Sequence, residues 1–153
     1  MSLVTINPTI PIVTLLGMSK NIILTTSASI QKLLKHSPTL RETTESLDLV
    51  TSMKLLESYV EVVDGIESKP LSISLENLKE SLLILHSKLD EIETKIKLYD
   101  ASYTKYILSA NYEKEFEDIK KIWKIVQLRK TQLIETTTIV SNINCFKHFG
   151  HKI

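Results

Sequence analysis

The chain has 153 residues, of which 42% are hydrophobic and 24% are charged, a size and composition that allow one buried core. Its three glycines and four prolines are too few for the many turns of a β-sandwich or barrel, which favours long helices. The formal net charge of +1 gives no general argument for nucleic-acid binding, and a single cysteine, Cys145, excludes an intrachain disulfide.

The first predicted helix, residues 9 to 35, contains the stretch of the chain that is poorest in charge. Lys20 is the one charged residue between Pro8 and Gln31. No basic region or small-residue cleavage site marks a signal peptide, and the prolines, Lys20 and a Thr/Ser cluster leave fewer than the ~20 apolar residues of a membrane span. Two interpretations stay open: a core helix, or a segment that moves between protein and lipid.

The second predicted helix runs from residue 38 to residue 64, with Ser37 as its N-cap and Gly65 as its C-cap. Its expected core face consists of Leu49, Val50, Met53, Leu56, Val60 and Val63. The third, residues 73 to 98, starts at Ser72 or Ser74 after Pro70. Its apolar residues alternate spacings of three and four, which predicts one continuous seam: Leu75, Leu78, Leu82, Leu85, Leu89, Ile92, Ile96 and Tyr99.

The fourth predicted helix spans residues 111 to 141, with Asn111 as its cap. Its expected core residues are Phe116, Ile119, Trp123, Val126 and Leu133, with Ile122 and Ile134 beside them. Together the segments predict an all-α fold: a four-helix bundle over residues 1 to 142, a short extra helical turn between the third and fourth long helices, and a flexible basic and aromatic tail over residues 143 to 153. The seam of the third helix fits either a bundle core or a coiled coil.

A family resemblance rests on residues 103 to 126, "YTKYILSANYEKEFEDIKKIWKIV". An amphipathic helix, a short linker, an aromatic or Leu pair with a small-residue turn, and a Phe-containing last helix follow one another here. This order resembles the HeLo-like domains, which include the N-terminal four-helix domain of mixed-lineage-kinase-domain-like pseudokinases. The similarity covers most of residues 10 to 135, although the basic excess lies on the last helix rather than on the first two.

The resemblance implies a programmed cell-death module of the necroptosis or innate-immunity type. Such domains oligomerise, bind anionic lipid headgroups, permeabilise membranes, and are restrained by a regulatory kinase or effector partner. We therefore expect a cytoplasmic protein that is recruited to the plasma membrane and forms a homo-oligomer when active. The lone cysteine fits a reducing compartment.

Two sets of residues are candidates for lipid contact. The apolar residues of the first helix are expected to insert into the membrane: Ile10, Ile12, Val13, Leu15, Leu16, Met18, Ile22, Ile23 and Leu24. The bases of the last helix are expected to bind anionic headgroups: Lys120, Lys121, Lys124, Arg129 and Lys130. Residues 101 to 153 carry nine bases against five acids, whereas residues 1 to 100 carry ten against thirteen.

Catalytic motifs are missing from the sequence. It has no glycine-rich phosphate loop, HExxH motif or nucleophile elbow, so we expect neither enzymatic activity nor a cofactor. Cys145, His148 and His151 recur every three residues but lack a fourth ligand, and we expect no metal site. The bases alternate with core positions, which argues against a nucleic-acid partner.

A second function fits the same residues. In this alternative the domain is a soluble helical adaptor or regulatory domain without membrane activity. The first helix then completes the core, and the seam from residue 75 to residue 96 extends to a partner helix or to a second copy of the chain.

Overall fold

The structure is a computed structural model that describes residues 10–36, 48–63, 66, 68–102 and 112–150, with side chains except at residues 36 and 144–150. Four α-helices follow one another: α1 (Ile12–His36), α2 (Leu49–Val62), α3 (Lys69–Asp100) and α4 (Glu113–Gly150). The described residues include no β-strand. The predicted all-α fold with four helices packed against one another is confirmed.

One hydrophobic core joins the four helices, and α3 lies at its centre. α3 contacts both α1 and α4, while α2 packs against α1. The predicted seam of α3 is buried from Leu75 through Ile96, because spacings of three and four keep these side chains on one helix face. The seam therefore forms bundle core and is not free to bind a partner helix. α2, the Val63 that directly follows it, and α4 add these buried residues: Leu49, Met53, Leu56, Val60, Val63, Phe116, Ile119, Trp123, Val126 and Leu133.

Polar contacts fix the direction of α4 relative to α3. Ser74 Oγ lies 3.0 Å from Thr136 Oγ1, near the start of α3. Lys95 Nζ lies 2.7 Å from Glu115 Oε1, near its end. Since residue numbers rise along α3 while they fall along α4, the two helices are antiparallel.

The start of α3 differs from the prediction. Ser68 is the N-cap, and Pro70 lies inside the first turn, where its missing N–H removes no helical hydrogen bond. Ser72 and Ser74, the predicted caps, lie within the helix instead. The Ser72 hydroxyl donates to the carbonyl of Ser68 at 3.2 Å. Sequence reasoning placed the boundary too late because it treated Pro70 as a break between helices.

The end of α4 also differs from the prediction, because the helix continues to Gly150 instead of ending at residue 141. No proline or glycine interrupts the chain between Asn111 and Gly150, so nothing local stops the helix earlier. The backbone of the predicted tail is thus helical up to Gly150. The predicted extra turn, the first part of the second predicted helix, and the caps Ser37, Gly65 and Asn111 lie outside the described residues.

Ion pairs close the boundary between α3 and α4. Lys88 Nζ lies 3.0 Å from Asp118 Oδ2 and 3.3 Å from Glu91 Oε2. Burial disfavours the Lys88 ammonium, but hydrogen bonds to both carboxylates raise the pKa of Lys88 above its ordinary value. The hydrogen bond from Lys95 lowers the pKa of Glu115, although burial opposes that shift. The Lys88–Asp118 and Lys95–Glu115 pairs each join α3 to α4 and so link residues that are far apart in sequence.

We expect Glu115→Gln to destabilise the domain at neutral pH by a small amount that depends on pH. Because the folded pKa of Glu115 is lowered, its ionised form stabilises the fold above the unfolded pKa of about 4.3. That stabilisation is lost as the pH falls through the folded pKa. Urea unfolding at pH 7 and at lower pH should show the two proteins converging in acid. Glu76→Gln, at an exposed position of α3, is the matched control, and equal pH dependence of both variants would contradict the assignment.

Candidate functional site

The inner face of α1 contains five of the nine residues proposed for membrane insertion. All five belong to the hydrophobic core: Ile12, Leu15, Leu16, Ile22 and Ile23. Ile10, just before the helix, is partly buried and packs against the same core. In the folded bundle these side chains are therefore packing residues, and any contact with lipid requires α1 to leave its neighbours.

The outer face of α1 contains the remaining three residues proposed for membrane insertion. Val13, Met18 and Leu24 are 71%, 42% and 55% exposed. Between Ile12 and Gln31 the helix carries one charge, Lys20, so its exposed surface consists of apolar and uncharged polar groups. An ordinary surface helix places charged residues opposite its apolar face, and α1 departs from that rule.

Polar groups lie where α1 packs on the bundle. Ser19 and Thr26 are fully buried, and among the described residues their hydroxyls have no hydrogen-bond partner. An unpaired buried hydroxyl destabilises a fold by roughly 1–3 kcal/mol. The two residues are seven apart and so lie on one side of α1. α1 is thus less polar outside and more polar inside than a stably docked helix usually is.

α3 carries a row of polar residues on the same side as His86, the residue through which it contacts α1. Ser72, Lys79 and His86 recur at intervals of seven on one side of α3. His86 contacts α1 directly, since its Nδ1 lies 3.4 Å from Ser29 Oγ. Lys79 is buried, and its Nζ lies 3.5 Å from a carboxylate oxygen of Glu80. The boundary between α1 and α3 therefore combines aliphatic packing with buried polar groups.

The five basic residues proposed for headgroups differ in their surroundings. Lys120 Nζ lies 3.1 Å from Glu117 Oε1, and Arg129 donates to Gln132 Oε1 at 3.1 Å. Lys130 is half-buried. Lys121 and Lys124 are exposed and form no salt bridge within the described part of the chain. These last two are the most accessible cations of the set.

α1 and the bases of α4 lie on different surfaces of the bundle. α1 meets α3 at His86, whereas α4 meets α3 through Lys88 and Lys95 on another side of that helix. The structure therefore does not bring the two predicted sets together into one site.

Sequence reasoning missed two further features. One is a groove of about 310 Å³ between α2 and α4, lined by Tyr59, Val62, Leu133, Ile134, Thr137, Thr138, Ser141 and Asn142. The other is a row of exposed aliphatic residues on α4, Ile125, Leu128, Ile139 and Ile143. The row was detectable in the sequence, because these residues fall on the side of α4 away from Ile119, Val126 and Leu133. The groove depends on how α2 meets α4 and has no local signal.

Among the described residues, no group of three His, Cys, Asp or Glu side chains is placed to hold a metal ion. The side chains of Cys145 and His148, and residue His151, are not described. Over the part of the chain that the structure describes, no helix is both long and apolar enough to cross a membrane. No protein-family model, curated protein or solved structure matches the chain. The four-helix architecture is shown, and membership of the HeLo-like group stays a prediction.

Proposed function

We propose that this domain is a cell-death or defence module that acts on anionic membranes, where α1 leaves the bundle and assembled copies permeabilise the bilayer. The observation that supports this proposal is the polarity of α1. Its exposed surface is uncharged over most of its length and carries Val13, Met18 and Leu24, whereas its buried surface holds the unpaired hydroxyls of Ser19 and Thr26.

The free energy of moving α1 into lipid depends mainly on its outer face. The aliphatic residues of the inner face stay out of water in either place, so their burial contributes little to the difference. Each outer residue gains up to about 1.5–3 kcal/mol when it is fully buried. The hydroxyls of Ser19 and Thr26 are short and stay near the helix axis, so at the boundary between headgroups and acyl chains water and lipid carbonyl groups can pair with them while the longer aliphatic side chains beside them reach the acyl region. Both changes favour the released helix.

Release of α1 uncovers the core residues of α2 and α3 that it had covered. Both helices pack against α1 and contribute fully buried aliphatic residues to the shared core. Exposing such residues to water would cost about 1.5–3 kcal/mol each, so the bilayer or a second copy has to cover them. The proposal therefore includes self-association at the membrane.

We expect Thr26→Val to stabilise the folded domain and to slow membrane permeabilisation. The change replaces an unpaired buried hydroxyl by a methyl group of similar shape, which should raise the free energy of unfolding by about 1–2 kcal/mol. If α1 must leave the bundle, the same difference slows dye release about 5- to 30-fold. Urea unfolding and dye release from anionic vesicles measure the two effects.

Thr14→Val is the matched control, since Thr14 is exposed on the same helix. It should leave the unfolding midpoint nearly unchanged and should keep or increase dye release. A Thr26→Val protein that is more stable than the wild type but releases dye from anionic vesicles as fast would contradict release of α1. Failure of the folded wild-type protein to release dye from either anionic or neutral vesicles would contradict the membrane function itself.

An adaptor function is the second candidate, and the groove between α2 and α4 favours it. Tyr59 and Val62 stay exposed at this groove although Leu133 lies at its base. The heptad seam no longer supports this alternative, because it is buried in the bundle. The two functions are distinguished by light scattering with and without anionic vesicles. A monomer that neither binds vesicles nor assembles on them would favour the adaptor.

A further inference from the structure

The outward side of α4 carries aliphatic side chains that stay about half exposed in the folded domain. Four of them are 46% to 58% exposed: Ile125, Leu128, Ile139 and Ile143. At 1.5 Å per residue they extend over about 27 Å of the helix. Gln132 and Glu135 separate the row into two apolar halves. We call these four aliphatic residues the α4 stripe.

Exposed lysines lie at one end of the α4 stripe. Lys121 and Lys124 are exposed within one or two turns of Ile125 and Leu128, and neither forms a salt bridge in the described part of the chain. From Lys120 to Ile143 the helix carries five bases and one acid, Glu135. Exposed aliphatic residues beside exposed lysines are typical of helices that lie at a lipid–water interface.

We propose that the α4 stripe is the surface on which the folded domain docks to anionic membranes, with α4 lying along the bilayer plane. The aliphatic side chains enter the boundary between headgroups and acyl chains, and Lys121 and Lys124 meet lipid phosphates. This inference rests on the proposed function, but it concerns a step before α1 is released and a different surface of the bundle.

Charge favours a membrane over a second copy of the chain as the occupant. An antiparallel pair that matches Leu128 with Ile139 of the second copy has its centre between residues 133 and 134. The two Glu135 residues then lie only about 4.5 Å apart along the helix axes. A parallel pair would place each lysine and each Glu135 beside its own equivalent. Either arrangement brings like charges together, whereas an anionic bilayer meets the excess of bases.

Vesicle sedimentation tests the proposal. The probe is phosphatidylcholine vesicles with and without phosphatidylserine. We expect Ile125→Gln with Leu128→Gln to lower the partition coefficient at least about ten-fold, since two partly exposed aliphatic residues lose their lipid contact. Lys121→Gln with Lys124→Gln should lower it about thirty-fold on the anionic vesicles alone.

Ile84→Gln with Leu98→Gln is the matched control. These residues are 55% and 67% exposed on α3, outside the α4 stripe, so the same chemical change should leave binding unaltered. Circular dichroism and urea unfolding establish that every variant is folded. Equal loss of binding in the control pair would overturn the proposal. Unchanged vesicle binding by Ile125→Gln with Leu128→Gln would also overturn it. So would a wild-type protein that binds no vesicles but forms a dimer that Ile125→Gln with Leu128→Gln converts to a monomer.

Binding and dye release separate this inference from the proposed function. Wild-type protein that binds through the α4 stripe but releases no dye would support the docking surface and contradict permeabilisation. Dye release that persists undiminished after Ile125→Gln with Leu128→Gln would contradict the docking surface alone.

Discussion

Replacing Leu15 by glutamate is expected to abolish cooperative folding, whereas the same replacement at Val13 is expected to leave the fold intact. Leu15 is 1% exposed in the core and Val13 is 71% exposed on the same helix. A glutamate at position 15 must be buried without a partner or must force α1 out of the bundle. Either outcome costs several kcal/mol, a large part of the roughly 5–15 kcal/mol that stabilises a domain.

Urea unfolding followed by circular dichroism measures both variants. Val13→Glu should stay within about 0.5 kcal/mol of the wild type, because exposed substitutions seldom have larger effects. It should nevertheless suppress dye release, since it places a charge on the surface that is proposed to enter lipid. A Leu15→Glu protein with a wild-type unfolding midpoint would show that the core role of α1 is wrong.

The core of the bundle was largely predictable from the sequence. The seam of α3 and the stripe of α2 could be read because their apolar residues recur every three or four positions between polar neighbours. All the named residues are buried apart from Val50 and Tyr99, which are half-buried. A strong local period is sufficient to identify the buried face of a helix.

The buried face of α1, in contrast, was not predictable from its sequence. Its sequence identified a helix but not its buried face, because Val13, Met18 and Leu24 are as apolar as Leu15 and Ile23 and no charges mark the outside. Only packing against α2 and α3 separates these residues, since it buries Ser19 and Thr26 and leaves Leu24 exposed. When local polarity does not indicate a side, tertiary contacts decide it.

Contacts between residues far apart in sequence could not be predicted from local sequence patterns either. The pair of Lys95 and Glu115, and the contact of Ser29 with His86, depend on how whole helices align. The candidate headgroup residues illustrate the same limit. The sequence places five bases on one helix, but Lys120 forms a salt bridge with Glu117 whereas Lys121 and Lys124 form none among the described residues, and Lys121 only helps to lower the pKa of Asp118 from a distance.

A thiol at position 19 would report directly on whether α1 leaves the bundle. Ser19 is fully buried, and cysteine is close to serine in size and is readily accommodated in a core. Combined with Cys145→Ser, the variant Ser19→Cys carries a single thiol that reacts only when the α1 interface opens. Thr14→Cys in the same background is the control, since position 14 is exposed in the folded domain and reports the reactivity of an accessible thiol.

The rate at which a membrane-permeant maleimide labels Ser19→Cys on anionic vesicles tests the central claim most directly. We expect slow labelling in buffer and on neutral vesicles, and an increase on the order of a hundred-fold on anionic vesicles, because the population of the open form limits the reaction. Thr14→Cys should label rapidly in every condition. A Ser19→Cys protein that binds anionic vesicles and yet labels as slowly as it does in buffer would contradict the release of α1.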